Sequence, residues 1–131
     1  MKQVLGKVSK DIAKKYDIDE YANKKIVIYD DTRRHCQKKH LKEFGNPKTF
    51  YYIMNNLEDI INNPDNVFYI KSKDTLEYYK TFAFGITVRV KIQPGNELKV
   101  KTVFTVSQTK IDNRVKREQY NKYVINNENA Q

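Results

Sequence analysis

Arg33-Arg34-His35-Cys36-Gln37-Lys38-Lys39-His40 holds both histidines of the chain and its only cysteine. Three chemistries compete for these residues. A zinc site could use Cys36 and His40, but beyond His35 the sequence has no further Cys or His, and no carboxylate cluster completes a tetrahedral set. Cysteine nucleophilic catalysis needs an accessible thiolate, whereas Cys36 occupies a core-like position of the helix this segment is expected to form. Acid–base catalysis is the third. A neutral imidazole can take a 2′-OH proton from RNA and an imidazolium can protonate the leaving oxygen, both near pH 7. Lys or Arg would stabilise the charge that builds on phosphate. The two histidines stand five residues apart, so on a helix they point about 140° away from each other. Cys36, His40 and Phe44 share the apolar face expected to pack on a sheet, and His35 falls near the opposite face. His40 can equally be a satisfied, partly buried histidine, and periodicity alone favours that plainer role.

Charge is the second chemical feature. The chain of 131 residues carries 25 Lys and Arg against 16 Asp and Glu, a formal net charge of +9. Such an excess speaks about partners, with nucleic acid and anionic membrane as the candidates. No run approaches the roughly 20 apolar residues needed to span a bilayer, and Met1 to Lys10 has no apolar signal core. The expectation is therefore nucleic acid as partner and no membrane. A single cysteine excludes an internal disulfide framework and fits a reducing compartment, so the expected place of action is cytoplasmic. The oligomeric state is not legible.

The positions of the charges sharpen this picture. Ile86, Val88, Val90 and Ile92 alternate with Thr87, Arg89 and Lys91, while Leu98, Val100, Phe104 and Val106 alternate with Lys99, Lys101, Thr105 and Ser107. Both are half-buried strand patterns. A three-residue loop, Pro94-Gly95-Asn96, sets Ile92 opposite Leu98 and keeps the apolar sets on one face. Lys91 then falls opposite Lys99, and Arg89 opposite Lys101. Like charges so opposed cost stability. They form either a solvated face or a platform for a polyanion, whose phosphate contacts would position a strand without reading it. Ten tyrosines, with Tyr78 and Tyr79 beside Lys80, could stack unpaired bases, although most are expected to be packing residues.

These residues need elements to hold them. A short helix is expected around Lys7 to Tyr16 with Ser9 as cap, then a brief apolar run at Ile26 to Tyr29. Asp30, Asp31 and Thr32 open the histidine helix, which runs to about Phe44 and stops at Gly45, with Pro47 beyond. A third helix covers about Thr49 to Ile61. Val67 to Ile70, Glu77 to Phe84, Ile86 to Ile92 and Leu98 to Val106 are rich in β-branched and aromatic residues and read as strands. Helices first and strands second predict an α+β domain over 1–111, with N-terminal helices packed on a C-terminal antiparallel sheet of four to five strands. Residues 112–131 read as a basic, polar C-terminal helix or tail.

The sequence also resembles a known group, the phage-associated nucleases of the barnase–EndoU–colicin–RelE fold. Leu5-Gly6-Lys7-Val8-Ser9 before a short helix is similar to the group's start, and Arg34-His35 followed by Lys39-His40 to its "RH…(K/R)H" helix. Ile60-Ile61-Asn62-Asn63-Pro64-Asp65 before Phe68-Tyr69 resembles its "NPD" turn, and Tyr79-Lys80 its strand lysine. Val90-Lys91-Ile92 and Thr102 to Thr105 resemble its central hairpin, so the likeness spans roughly Gly6 to Lys110. It implies a two-layer α+β nuclease that cleaves RNA without metal or other cofactor, by 2′-OH attack to a 2′,3′-cyclic phosphate. It implies a phage, mobile-element or toxin component, with tRNA as a candidate substrate and a cognate immunity or antitoxin protein as a candidate partner. Carried onto this chain, His35 and His40 become the acid–base candidates and Lys80 the phosphate stabiliser, with Thr105 and Ser107 able to bond phosphate oxygens. Arg34, Lys73, Arg89, Lys91, Lys99, Lys101 and Lys110 are the nucleic-acid-binding candidates. The alternative is a non-catalytic nucleic-acid-binding or host-targeting protein on the same fold.

Overall fold

The computed structural model describes residues 1–129, with side chains described through Glu118. Residues 130 and 131, the end of the expected C-terminal segment, lie outside the described residues. Six strands, β1 (Lys2–Lys7), β2 (Lys25–Tyr29), β3 (Asn66–Ile70), β4 (Thr75–Thr81), β5 (Thr87–Gln93) and β6 (Leu98–Thr105), form one sheet in the order β1-β2-β6-β5-β4-β3. The helices are α1 (Lys10–Lys15), α2 (Asp30–His40), α3 (Pro47–Met54), α4 (Leu57–Asn62) and α5 (Gln108–Asn129).

This corrects the expected architecture while keeping it α+β. The sheet has six strands, draws two of them from the N-terminal third, and is mixed, because β2 pairs parallel with β6. The remaining pairs are antiparallel. Strand β2 escaped a place in the predicted sheet because Ile26, Val27 and Ile28 are all buried, a continuous apolar run without alternation. Strand β1 escaped because only Leu5 along it is buried. Its edge position requires little apolar material.

The local chemistry of the helices is as expected at several points. The Ser9 side chain caps α1 by accepting from the Ile12 N–H, but the helix begins at Lys10, after β1. The α-helical part of the histidine helix ends at His40, and Leu41–Phe44 tightens into a 3-10 turn. Gly45 stops it at φ 87, a conformation open to glycine. Asn46 then caps α3 through the Thr49 N–H, with Pro47 as first residue. The expected third helix is two, α3 and α4, separated at Asn55 and Asn56.

Most of the core lies between α2–α4 and one face of the sheet, built from residues such as Ile26, Cys36, Phe44, Phe50, Ile60, Tyr78, Val90, Ile92 and Val103. Each buried aliphatic side chain contributes about 1.5–3 kcal/mol. A smaller cluster, Phe68, Tyr79 and Ile111 with Ile70, Val106 and Val115 against it, seats α5 on the opposite face over β3 and β4. The rest of that second face, over β5 and β6, carries the charges.

The β5–β6 hairpin differs from its predicted register. Ile92 pairs with Val100, not Leu98, so the connection is two residues longer than the expected three-residue loop. That shift preserves the facing of Ile92, Leu98 and Val100. A bulge then follows, with Lys91 opposite Thr102 and Arg89 opposite Phe104. The extra residue inverts the later half of β6, so Val103 enters the core and Phe104 turns to the second face. It also removes the two like-charge pairs, which relieves the repulsion the simple register would carry.

Candidate active site

Cross-strand pairing builds the site. Glu77 lies opposite Lys91, Tyr79 opposite Arg89, and Arg89 opposite Phe104, and directly paired residues share a face. Since Leu76, Tyr78, Val88 and Val90 fill the core, these five side chains occupy the other face.

Glu77 is only 4% exposed, although it is charged. A buried carboxylate is costly unless paired and hydrogen-bonded, and here it is both. The Tyr79 hydroxyl donates to Glu77 Oε1 at 2.7 Å, and Arg89 Nη1 donates to the Tyr79 oxygen at 3.4 Å. Lys91 Nζ stands 4.0 Å from Glu77 Oε2. That length exceeds a hydrogen bond, so Oε2 is the carboxylate oxygen without a hydrogen bond among the described residues. The Arg89 guanidinium lies 4.1 Å from the Phe104 ring centroid, with Lys91 Nζ 5.6 Å from the same centroid. Burial lowers the Lys91 pKa, and the Arg89 charge adds to that. An incoming phosphate would offset the repulsion from Arg89. Burial pushes the Tyr79 phenol up to about 12, so it stays a neutral donor.

His40 reaches this group from another element. Only Ile26 and Val27 of β2 pair with β6 before the chain enters α2, which packs against β6 itself. The last residue of that helix, His40, stacks on Phe104 at 5.7 Å between centroids and 27° between planes. Its Nδ1 lies 2.9 Å from Glu43 Oε1, supplied by the 3-10 turn that follows. That contact orients the ring and leaves Nε2 for a substrate.

The predicted site residues divide. His40, Arg89 and Lys91 come together. Lys73 and Lys101 are close enough for their charges to bear on Lys91. His35 is exposed, and neighbouring Arg34 bonds Asp31, both exposed on the outer side of the same helix. Lys80 and Thr105 both pair with Val88 and therefore lie on the helix-bearing face. There the Lys80 ammonium donates to the Asn63 carbonyl at 2.7 Å and stands 3.9 Å from Asp59. Ser107 caps the first turn of α5 by accepting from the Lys110 N–H. Lys99 is exposed, with its ammonium 5.3 Å from the centre of the Tyr29 ring. Sequence reasoning missed Glu77, Tyr79 and Phe104 as site residues. The one available signal was a lone carboxylate inside the apolar and aromatic run of β4. Among the described residues no group of three or more His, Cys, Asp or Glu side chains is placed to hold a metal ion.

A carboxylate, an imidazole and two cations gathered on the open face of an α+β sheet form the equipment of a nuclease. The profile of phage-Barnase-EndoU-ColicinE5/D-RelE like nuclease3 (PBECR3) matches residues 2–113, and the chain belongs to that family. No curated protein and no solved structure matches it.

Proposed function

We propose that this nuclease is an endoribonuclease that cleaves RNA by 2′-OH attack without a metal ion. The observation that supports this most is Glu77, a buried carboxylate with one oxygen bonded to Tyr79 and the other left beside Lys91 and near Arg89. In this reading Glu77 Oε2 accepts the 2′-OH proton and the freed oxygen attacks phosphorus. The bond from phosphorus to the 5′ oxygen breaks, and His40 gives its Nε2 proton to that oxygen. The products are a 2′,3′-cyclic phosphate and a 5′-OH. Arg89 and Lys91 balance the charge on the phosphorane, the role a metal fills in other nucleases. Phe104 offers its ring beside the scissile phosphate.

The test is incubation with total RNA in excess chelator, followed by analysis of product ends. Discrete fragments ending in 2′,3′-cyclic phosphate are expected, including from tRNA if that is a substrate. Glu77→Gln keeps the Tyr79 contact and should lower kcat about 10²–10⁴-fold, as should His40→Ala, with RNA binding retained. RNA left intact by the wild type would favour the non-catalytic binding protein. Wild-type cleavage rates in Glu77→Gln would overturn the assignment of the base.

A further inference from the structure

We propose that the cleft between α1, the Lys71–Lys73 turn and α5 is a second nucleic-acid subsite, which holds a backbone phosphate of an RNA strand that runs from the active face over the β3 edge of the sheet. The inference rests on the ribonuclease reading for the identity of the strand, and on separate residues for the site.

The cleft has a volume of about 530 Å³ and is lined by Lys15, Lys71, Arg114 and Arg117 with the rings of Tyr16 and Tyr69. Two carboxylates, Asp17 and Glu118, share it, so four cations face two anions. One of the two is already engaged, since Glu118 Oε1 accepts from the Tyr16 hydroxyl at 2.8 Å. None of the four cations takes part in an ion pair among the described residues. Uncompensated cations converging on a concave surface raise the local concentration of an anion.

The tyrosines make the cleft a shaped one. Their rings stand 6.3 Å apart at 57°, a tilted pair, and both hydroxyls are tied down. Tyr16 donates to the Val67 carbonyl or to Glu118, and Tyr69 donates to Asp74 at 2.7 Å. Fixed rings beside cations suit a sugar-phosphate chain with a base against an aromatic face.

The cleft opens at the β3 edge of the sheet, next to the active face: Ile70 packs with Phe68 and Tyr79 on that face, whereas Tyr69 pairs with Leu76 and, like Tyr16, packs against the core on the other. Phe68, Glu77 and Lys91 lie in one row across β3, β4 and β5. Two residues further along, about 7 Å, Ile70 pairs with Thr75 and the chain enters the Lys71–Lys73 turn. Lys73 is near enough for its charge to bear on Lys91. The Lys71–Lys73 turn thus joins the Lys91 end of the active face, through Lys73, to the cleft that Lys71, Arg114 and Arg117 line. Helix α5 forms one wall of it because Ile111 and Val115 seat on Phe68 and Ile70. Arg114 and Arg117 lie just beyond residue 113, where the family match ends.

The test compares Lys71→Ala/Arg114→Ala/Arg117→Ala with wild type on a dinucleoside monophosphate and on a twelve-nucleotide RNA. The subsite predicts unchanged dinucleotide cleavage and unchanged kcat on both substrates. It predicts a KM on the long RNA raised at least about tenfold. In the Glu77→Gln background, which binds RNA and cuts it far more slowly, the slope of log Kd against log salt should flatten by about 0.7 units, the value for one single-strand phosphate contact. Equal salt slopes with equal long-RNA KM would overturn the subsite. So would a parallel loss on both substrates. If the wild type cleaves neither RNA, the ribonuclease reading fails, and the salt slope alone then decides the cleft.

Discussion

Residue chemistry in this protein is governed by what each polar group meets on burial. Glu77 and Tyr78 are neighbours on β4 with opposite outcomes. Glu77 faces Tyr79 and Lys91 and is satisfied, whereas Tyr78 faces the core and its hydroxyl is buried without a partner among the described residues. Removing an unpaired buried hydroxyl removes its desolvation cost. Tyr78→Phe should therefore range from neutral to about 1 kcal/mol more stable at neutral pH, measured by urea unfolding. The same residue has a pH signature. Burial pushes Tyr78 up to about 12, from an ordinary 10.0. Between those values the unfolded chain loses the phenol proton while the folded chain keeps it, so stability falls as pH rises through that window. Tyr78→Phe should make the alkaline fall shallower, and an unchanged slope would show that the phenol does not feel the core. Cys36 follows the same logic, fully buried and with its thiol pushed up by burial. A thiol reagent at neutral pH should label it only as fast as the protein opens, and fast labelling of the native state would place it outside the core.

Among the elements, β1 and the bulge in β6 carry the most consequence for their size. Strand β1 has an irregular register between Val4 and Gly6. There α4 approaches so closely that a Cβ on Gly6 would lie 2.7 Å from Asn62 Oδ1 and 2.9 Å from Ile61 Cγ2. Asn62 cannot simply swing away, because its amide donates to the Leu5 carbonyl at 3.1 Å. Gly6→Ala is expected to destabilise by about 1–3 kcal/mol, with catalytic constants at low temperature unchanged. A thermal melt and a cleavage assay on one preparation would check both halves. The bulge works differently, since it decides which face each residue of β6 reaches. Without it Phe104 would enter the core and His40 would have no ring to stack on.

The whole molecule is an electrostatic object as much as a packed one. Its net charge of +9 is not spread evenly. Arg89 and Lys91 sit on the second face with Lys73 and Lys101 around them. Such a field acts on encounter and on backbone contacts, and both weaken with salt. Arg89→Ala with Lys101→Ala should weaken RNA binding and flatten its salt dependence by about 1.4 units, at about 0.7 per contact, whether or not the chain is an active enzyme. A titration of labelled RNA across salt concentrations measures this, and an unchanged slope would mean that RNA does not lie on this face.

Much of this protein is determined by local rules that one sequence exposes. Ser9, Gly45, Asn46 and Pro47 set helix ends through capping and backbone conformation, which depend only on near neighbours. The alternation along β5 set which side chains face the core and left Arg89 and Lys91 outside it. His40 was legible as the histidine turned toward the sheet because helical phase is also local. Pairing between distant segments was not legible. The parallel contact of β2 with β6, the bulge at β6 and the Glu77–Lys91 opposition each join segments far apart in the chain, and no periodicity encodes a partner's identity. Lys80 shows the cost of that gap, since one residue of strand phase separates it from Tyr79 and puts it on the other face of the sheet. The sequence determined which groups could do chemistry. Only the tertiary structure decided which of them meet, because strand register, unlike helix phase, is set by long-range packing.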